Sequence, residues 1–210
     1  LTSLKVPLNT IITTKESRTP ESVLKLLEEQ EAAIASEVER LQALYAIIHT
    51  ISNLISTGLG ADKDKITVEN MDAMPITLGR TNNFEGESFF SAFTEFCVNA
   101  PLSGINLSYP VGGFFENMQV FSEAPSQPQQ FFSVDPNGRD IKAKDLYLIA
   151  YTKGYYGKTN DVANRILKFA DENNLEFCGP VYNIYLFDEV SVQNFSDYLL
   201  QVSVAVRTRR

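Results

Sequence analysis

The chain has 210 residues, 44% hydrophobic and 21% charged, with a formal net charge of −8 at pH 7. That is enough chain for one or two domains with a sizeable core, and too acidic a surface for nucleic-acid phosphates or anionic lipid. A single histidine, His49, excludes His-based catalysis and a multi-His metal site, and two cysteines form neither a disulfide framework nor a zinc pattern. Cys97 and Cys178 each sit among apolar residues and read as small buried hydrophobes. No apolar run approaches the roughly 18 residues of a membrane span and no signal peptide opens the chain, so no membrane partner is expected and a reducing cytoplasm is the expected location.

Residues 1–19 mix apolar and Thr/Asn residues without a clear period, and the chain opens on Leu1 rather than Met, as a fragment would. Residues 20–57 carry one uninterrupted helical pattern. Thr19 is the expected N-cap, Pro20 stands at the first helical position, Glu21 complements the dipole, and Gly58 and Gly60 are expected to stop the helix. Along it Leu24, Leu27, Ile34, Val38, Leu41, Tyr45, Ile48 and Ile55 follow alternating 3/4 spacing, broken by Glu31 and Ser52. This is the narrow seam of a coiled coil, on a rod on the order of 55 Å long. Such a rod calls for a partner helix, most simply that of a second copy, with Leu27, Ile34, Val38, Leu41, Tyr45 and Ile48 as its contacts. The alternative is a helix packed along its own domain. A polar stretch from Gly58 to Lys65 then separates residues 1–63 (N-terminal segment, helix and linker) from a domain over 64–210.

The second part reads as a degenerate repeat. Thr81, Phe84 and Gly86 match Thr152, Tyr155 and Gly157 at a constant offset of roughly seventy residues. Strands are expected at Ile66–Val68, Ile76–Thr81, Ile105–Tyr109, Met118–Phe121, Phe131–Val134, Leu146–Thr152, Val181–Phe187 and Leu199–Val206. Helices are expected over Ser88–Val98, with phenylalanines at 3/4 spacing, and over Thr159–Asn173, capped by Thr159. The fold class is α+β: a long coiled-coil helix, then strand–helix–strand–strand twice, with an antiparallel sheet and a pseudo-two-fold seam. Alternation assigns Tyr147, Ile149 and Tyr151 to the sheet face away from the helices, and Val181, Asn183, Tyr185 and Phe187 to the same face, with Ile105, Leu107 and Tyr109 from the first half. A face so rich in Tyr and Ile suits a flat apolar ligand.

With these parts placed, Arg18-Thr19-Pro20-Glu21 through Leu26-Leu27-Glu28-Glu29-Gln30 resembles the dimerisation helix of MerR-family transcriptional regulators. Tyr151-Thr152-Lys153-Gly154-Tyr155-Tyr156-Gly157 and Gly179-Pro180-Val181-Tyr182-Asn183-Ile184-Tyr185-Leu186 resemble the GyrI-like effector-binding domain of BmrR-type members. The two resemblances cover nearly the whole chain. They imply an antiparallel homodimer through the long helix, an aromatic-lined pocket for a small-molecule effector between the repeats, and no cofactor, metal or catalytic residue. They also imply promoter contact through an N-terminal winged helix-turn-helix, which this chain is expected to lack, so it binds DNA only through that missing domain. Multidrug-binding members carry a Glu on the strand after Val-Tyr, which neutralises a cationic ligand. Here that position is Asn183, so the resemblance implies a neutral aromatic ligand unless Glu116, Asp188 or another acid reaches the groove. The alternatives are a GyrI-like small-molecule hydrolase and a GyrI-like module that inhibits another protein.

Overall fold

The computed structural model describes residues 19–82, 84, 88–159 and 161–209. Expectations about residues 1–18 and Gly86 lie outside them. The described residues divide into two compact units between Ala46 and Ile47, within the long helix. Helix α1 runs Pro20–Gly60. Its start is built as expected: Ser22 N–H donates to Thr19 Oγ1 (3.2 Å) and Thr19 N–H donates back to Ser22 Oγ (3.1 Å), a reciprocal cap that satisfies two backbone donors. Within the first unit, Leu24, Leu27, Ile34, Val38, Leu41 and Tyr45 are all exposed, as is Ile48 just beyond it.

The second unit carries β1 (Thr67–Met71), β2 (Met74–Thr81), α2 (Phe89–Asn99), β3 (Val111–Phe115), α3 (Met118–Glu123), β4 (Gln130–Ser133), β5 (Asp140–Lys142), β6 (Asp145–Lys153), α4 (Val162–Glu172), β7 (Leu175–Phe187) and β8 (Leu199–Thr208). The strands form one antiparallel sheet in the order β1-β6-β8-β7-β3-β4-β2-β5. The order is symmetric about the β7–β3 pair. Each repeat's core triplet mirrors the other's, and each leading strand crosses over, β1 to β6 and β5 to β2. Only Asp72 and Ala73 join β1 to β2, so strands near opposite ends of the order lie within about 11 Å at that link. The sheet must therefore curl, and a Lys144–Asp72 ion pair of 2.7 Å clasps its two short links.

The pseudo-dyad passes through the pair Gly113–Asn183, seventy positions apart in sequence, where Gly113 N–H donates to Asn183 Oδ1 at 2.7 Å. Beside it Gly112 faces the Phe132 ring and the Asn183 carbonyl oxygen so closely that a Cβ would overlap both. Gly112→Ala is accordingly expected to cost roughly 2 kcal/mol, read as a lower denaturant midpoint at unchanged slope.

Several expected elements change. Ile105–Tyr109 is turn rather than strand. Gly104 at φ 70 closes a 3-10 turn, Ile105 N–H returns to Ala100 O (2.9 Å), and Ser108 N–H donates to Asn106 Oδ1 (2.9 Å). The strand equivalent to β7 is β3 instead. Met118–Phe121 is helical because Asn117 caps it, accepting from Val120 N–H at 3.0 Å. Thr159 does not cap α4, which begins at Val162 after Asp161. Helix α1 continues through Gly58, whose missing Cβ is a packing requirement: it would lie 2.6 Å from Phe187 Cε1. Cys178 is exposed and Cys97 only partly buried.

The curl gives the sheet an inner and an outer face. On the outer face Leu148, Ala150, Val181, Val202 and Val204 pack with Val162 and Ile166 of α4 and Phe121 of α3. Phe96 and Ala92 of α2 pack with Phe131 and Ile105. The inner face buries Tyr147, Ile149, Tyr151, Tyr182, Ile184 and Leu186. Partners across antiparallel strands share a face, and the pairings run Ile149–Ser203–Tyr182 and Ala150–Val202–Asn183. Tyr147, Ile149 and Tyr151 thus face away from the helices as expected, but Val181, Asn183 and Tyr185 do not join them. The alternation was right within each strand and one residue out of step between strands.

Candidate functional site

On the outer face, at the seam between the repeats, lies a cavity of ≈ 270 Å³. Its floor is β3 and β7, through Val111, Gly113, Asn183 and Tyr185. One wall is α2, where Ser88 Oγ caps the helix by accepting from Ser91 N–H and Phe89 and Phe93 point inward. The glycines of β3 matter here: Gly113 brings the two central strands together with no side chain to fill the floor. Ile51, Leu54 and Ile55, from the part of α1 that belongs to this unit, form another wall. Tyr156 and Gly157 enter from the link between β6 and α4, and Asp188, Glu189 and Val190 from the turn after β7.

The lining is mostly aromatic. Phe89 and Phe93 stack at 6.0 Å, both meet Phe131 edge-on at 5.5 and 5.3 Å, and Tyr156 meets Tyr185 edge-on at 4.7 Å. Polar groups are few and placed. Asn183 Oδ1 is taken by Gly113 N–H, which leaves the amide N–H groups as its remaining donors. The Tyr156 hydroxyl donates to the Glu189 carboxylate, and Tyr185 Oη donates to Tyr155 O at 3.2 Å. Burial, and then the bond to Glu189, raises the Tyr156 phenol far above its ordinary pKa; burial alone does most of this at Tyr185. Asp188 Oδ1 accepts from Val190 N–H and holds its own turn. No ion pair among the described residues engages Asp188 or Glu189.

Of the nine residues expected to bind a ligand, Leu107, Tyr109, Asn183 and Tyr185 line this cavity. Ile105 and Val181 are buried in the packing beneath the helices. Tyr147, Ile149 and Tyr151 lie on the inner face. The alternation argument missed Phe89, Phe93, Tyr156 and Glu189. The Tyr155-Tyr156-Gly157 half of the repeat was the signal for Tyr156; Phe89 and Phe93 read as ordinary core by their spacing. Glu116 does not line the cavity, whereas Asp188 and Glu189 do, so an amide at position 183 does not leave it without carboxylates. No group of three or more His, Cys, Asp or Glu side chains placed to hold a metal occurs among the described residues, and none of their helices is long and apolar enough to cross a membrane.

No family model matches the chain. It is 24% identical over 210 residues to the multidrug-efflux transporter 2 regulator of Bacillus subtilis (strain 168), an alignment spanning 97% of this chain and 76% of that protein. Its fold matches that of EcmrR in a DNA complex, with a TM-score of 0.50 at 10% identity, covering 98% of this chain and 79% of the other. A hydrolase of Listeria innocua gives a TM-score of 0.44 at 12% identity over 72% of this chain and 96% of its own, too distant to bear on activity. The likeness to the effector-binding region of MerR-type regulators therefore stands. A regulator aligns over nearly the whole chain, and a long helix followed by a duplicated, GyrI-like antiparallel sheet is the architecture that likeness implies.

Proposed function

We propose that this chain is the effector-sensing and dimerisation portion of a MerR-type regulator, and that its effector is a small lipophilic aromatic molecule bound in the cavity on the pseudo-dyad. The observation that carries this is the lining itself: rings from both repeats, few polar groups, and the end of the long helix as one wall. A ligand touching Ile51, Leu54 and Ile55 has a direct contact with the helix that would carry the signal, and it acts only through unequal affinity for two arrangements. The described residues hold no helix-turn-helix, so promoter contact falls to segments outside them. Such a regulator works in the cytoplasm as a homodimer.

Acridine and N-methylacridinium, matched in shape and differing in charge, test the reading by fluorescence titration. Phe93→Ala should weaken both about fivefold, since ring contacts of this kind contribute roughly 1 kcal/mol. Glu189→Gln should weaken the cation relative to acridine by a factor of about three, the modest factor reflecting a carboxylate at the rim. Unchanged binding of both dyes to Phe93→Ala would place the ligand elsewhere. Hydrolysis would need a base and a proton donor within reach of a substrate. Of such groups the cavity offers the Asp188 and Glu189 carboxylates and the Tyr156 hydroxyl, whose pKa burial raises.

A further inference from the structure

Tyr156 lines the cavity and meets rings that an aromatic ligand there would also meet. Its ring runs nearly parallel to Phe93 (centroids 6.3 Å apart, 17° between planes) and to Phe89 (6.4 Å, 10°). It stands edge-on to Tyr185 (4.7 Å) and Tyr198 (5.5 Å). Its hydroxyl is bonded to Glu189. Phe89, Phe93, Tyr185 and Glu189 are all cavity-lining residues, so one side chain of the protein already makes the stacking, edge and hydrogen-bond contacts that the cavity offers.

The ring is also placed to leave. It is only half-buried, and it sits on a link rather than on β6 or α4. Glycines at φ 148 (Gly154) and φ 75 (Gly157) flank it, conformations open to glycine and awkward for other residues. Gly154 N–H is fixed to Tyr198 O at 3.2 Å and Lys158 N–H to Tyr155 O at 2.9 Å, so the ends of the link are anchored while the Tyr156 side chain is held by its ring contacts and Glu189.

We propose that Tyr156 is a displaceable plug, tethered through its hydroxyl to Glu189, and that an aromatic ligand binds by swinging it outward and taking its place against Phe89 and Phe93. This rests on the cavity being the effector site. Displacement frees the Glu189 carboxylate, so entry and exposure of the rim charge are one event. It also lowers the apparent affinity by the fraction of molecules whose plug is open. A hydrogen bond to a charged acceptor makes that fraction on the order of one tenth.

The test is acridine binding, followed by stopped-flow and equilibrium fluorescence, to the wild type, Tyr156→Phe, Tyr156→Ala and Phe93→Ala. Cutting the tether but keeping the ring (Tyr156→Phe) should speed association and tighten binding about threefold or more. Removing the ring (Tyr156→Ala) should tighten binding about tenfold. If Tyr156 is instead a fixed wall, both variants weaken binding, Tyr156→Ala more so. That result overturns the plug, while a loss in Phe93→Ala still supports the cavity as the site. Acridine binding that none of the three substitutions alters overturns both readings. Tyr156→Phe changes one atom, so it keeps the test decisive should Tyr156→Ala fold poorly.

Discussion

Lys142→Met is expected to raise the stability of the protein by about 2 kcal/mol at pH 7, with the gain fading as pH rises from 8 toward 10.5. Lys142 is 2% exposed, on the inner face of the curled sheet, with no carboxylate bonded to it. Its ammonium donates to Ser203 Oγ at 2.7 Å and lies 4.5 Å from the centre of the Tyr147 ring and 5.2 Å from that of Tyr182. Burial lowers its pKa from 10.5 to about 8. Below pH 8 the amine is charged in both states, and the folded state bears a desolvation cost of about 3 kcal/mol. Above 10.5 it is neutral in both and the cost is gone. The contribution of Lys142 to wild-type stability therefore rises with pH between those values. Methionine keeps the stem and removes the charge; the lost hydrogen bond and ring contacts return roughly 1 kcal/mol of the gain. Cys97, Cys178 and the buried tyrosines, Tyr147 raised to about 12 among them, are common to both proteins, so the difference between the two pH profiles belongs to the lysine. Denaturant unfolding of both proteins at pH 7 and pH 9.5 decides it. A variant less stable at pH 7, or a gain equal at both values, would show that the contacts of the ammonium outweigh its desolvation.

Elements whose signals were local were legible in the sequence. The Thr19–Pro20 start of α1, the Phe-rich α2 with its Ser88 cap, and the apolar strands β6, β7 and β8 each have a pattern that their own residues enforce. Misread segments are those where a local competitor wins. Asn106 and Asn117 draw nearby backbone N–H groups to their side chains and turn apparent strands into a turn and a helix. Strand β3 was invisible for the opposite reason. Gly112 and Gly113 have no strand preference of their own, and they are there because the neighbouring strand and Phe132 leave no room for a Cβ.

The site was half legible for a related reason. Which side chains share a face is set along one strand by alternation but between strands by register, and register is a property of pairing that no single strand carries. Alternation named Asn183 and Tyr185 but grouped them with Tyr147, whereas the pairing puts Asn183 in line with Val202 and Ala150 on the opposite face. Glu189 stands on a turn, where neither periodicity nor repeat says which way a side chain points. The carboxylate missing at position 183 has counterparts some residues further along the chain, visible only once the turn after β7 is folded back over the cavity.

Leu41→Asp is expected to convert a dimer into a monomer at micromolar concentration. The seam Leu27, Ile34, Val38, Leu41, Tyr45 and Ile48 keeps its 3/4 spacing on a helix of 41 residues, and every member is exposed, Leu41 by 51%. A row of large apolar side chains on one helix face has a large hydrophobic reason to find a second copy, and no comparable row is expected on a helix that remains alone. An aspartate at the middle of that seam must be desolvated to form the dimer, at a cost of several kcal/mol, enough to weaken association by about a thousandfold. The helix itself should survive, since Asp differs from Leu by under about 1 kcal/mol in helix propensity, so circular dichroism should change little. Glu37→Gln is the control. Glu37 makes an exposed pair with Arg40 at 2.7 Å, and its loss should barely move the equilibrium. Sedimentation velocity of the three proteins separates the possibilities. A wild type that sediments as a monomer removes the seam's assigned role, and a Leu41→Asp variant that remains a dimer moves the interface to another surface.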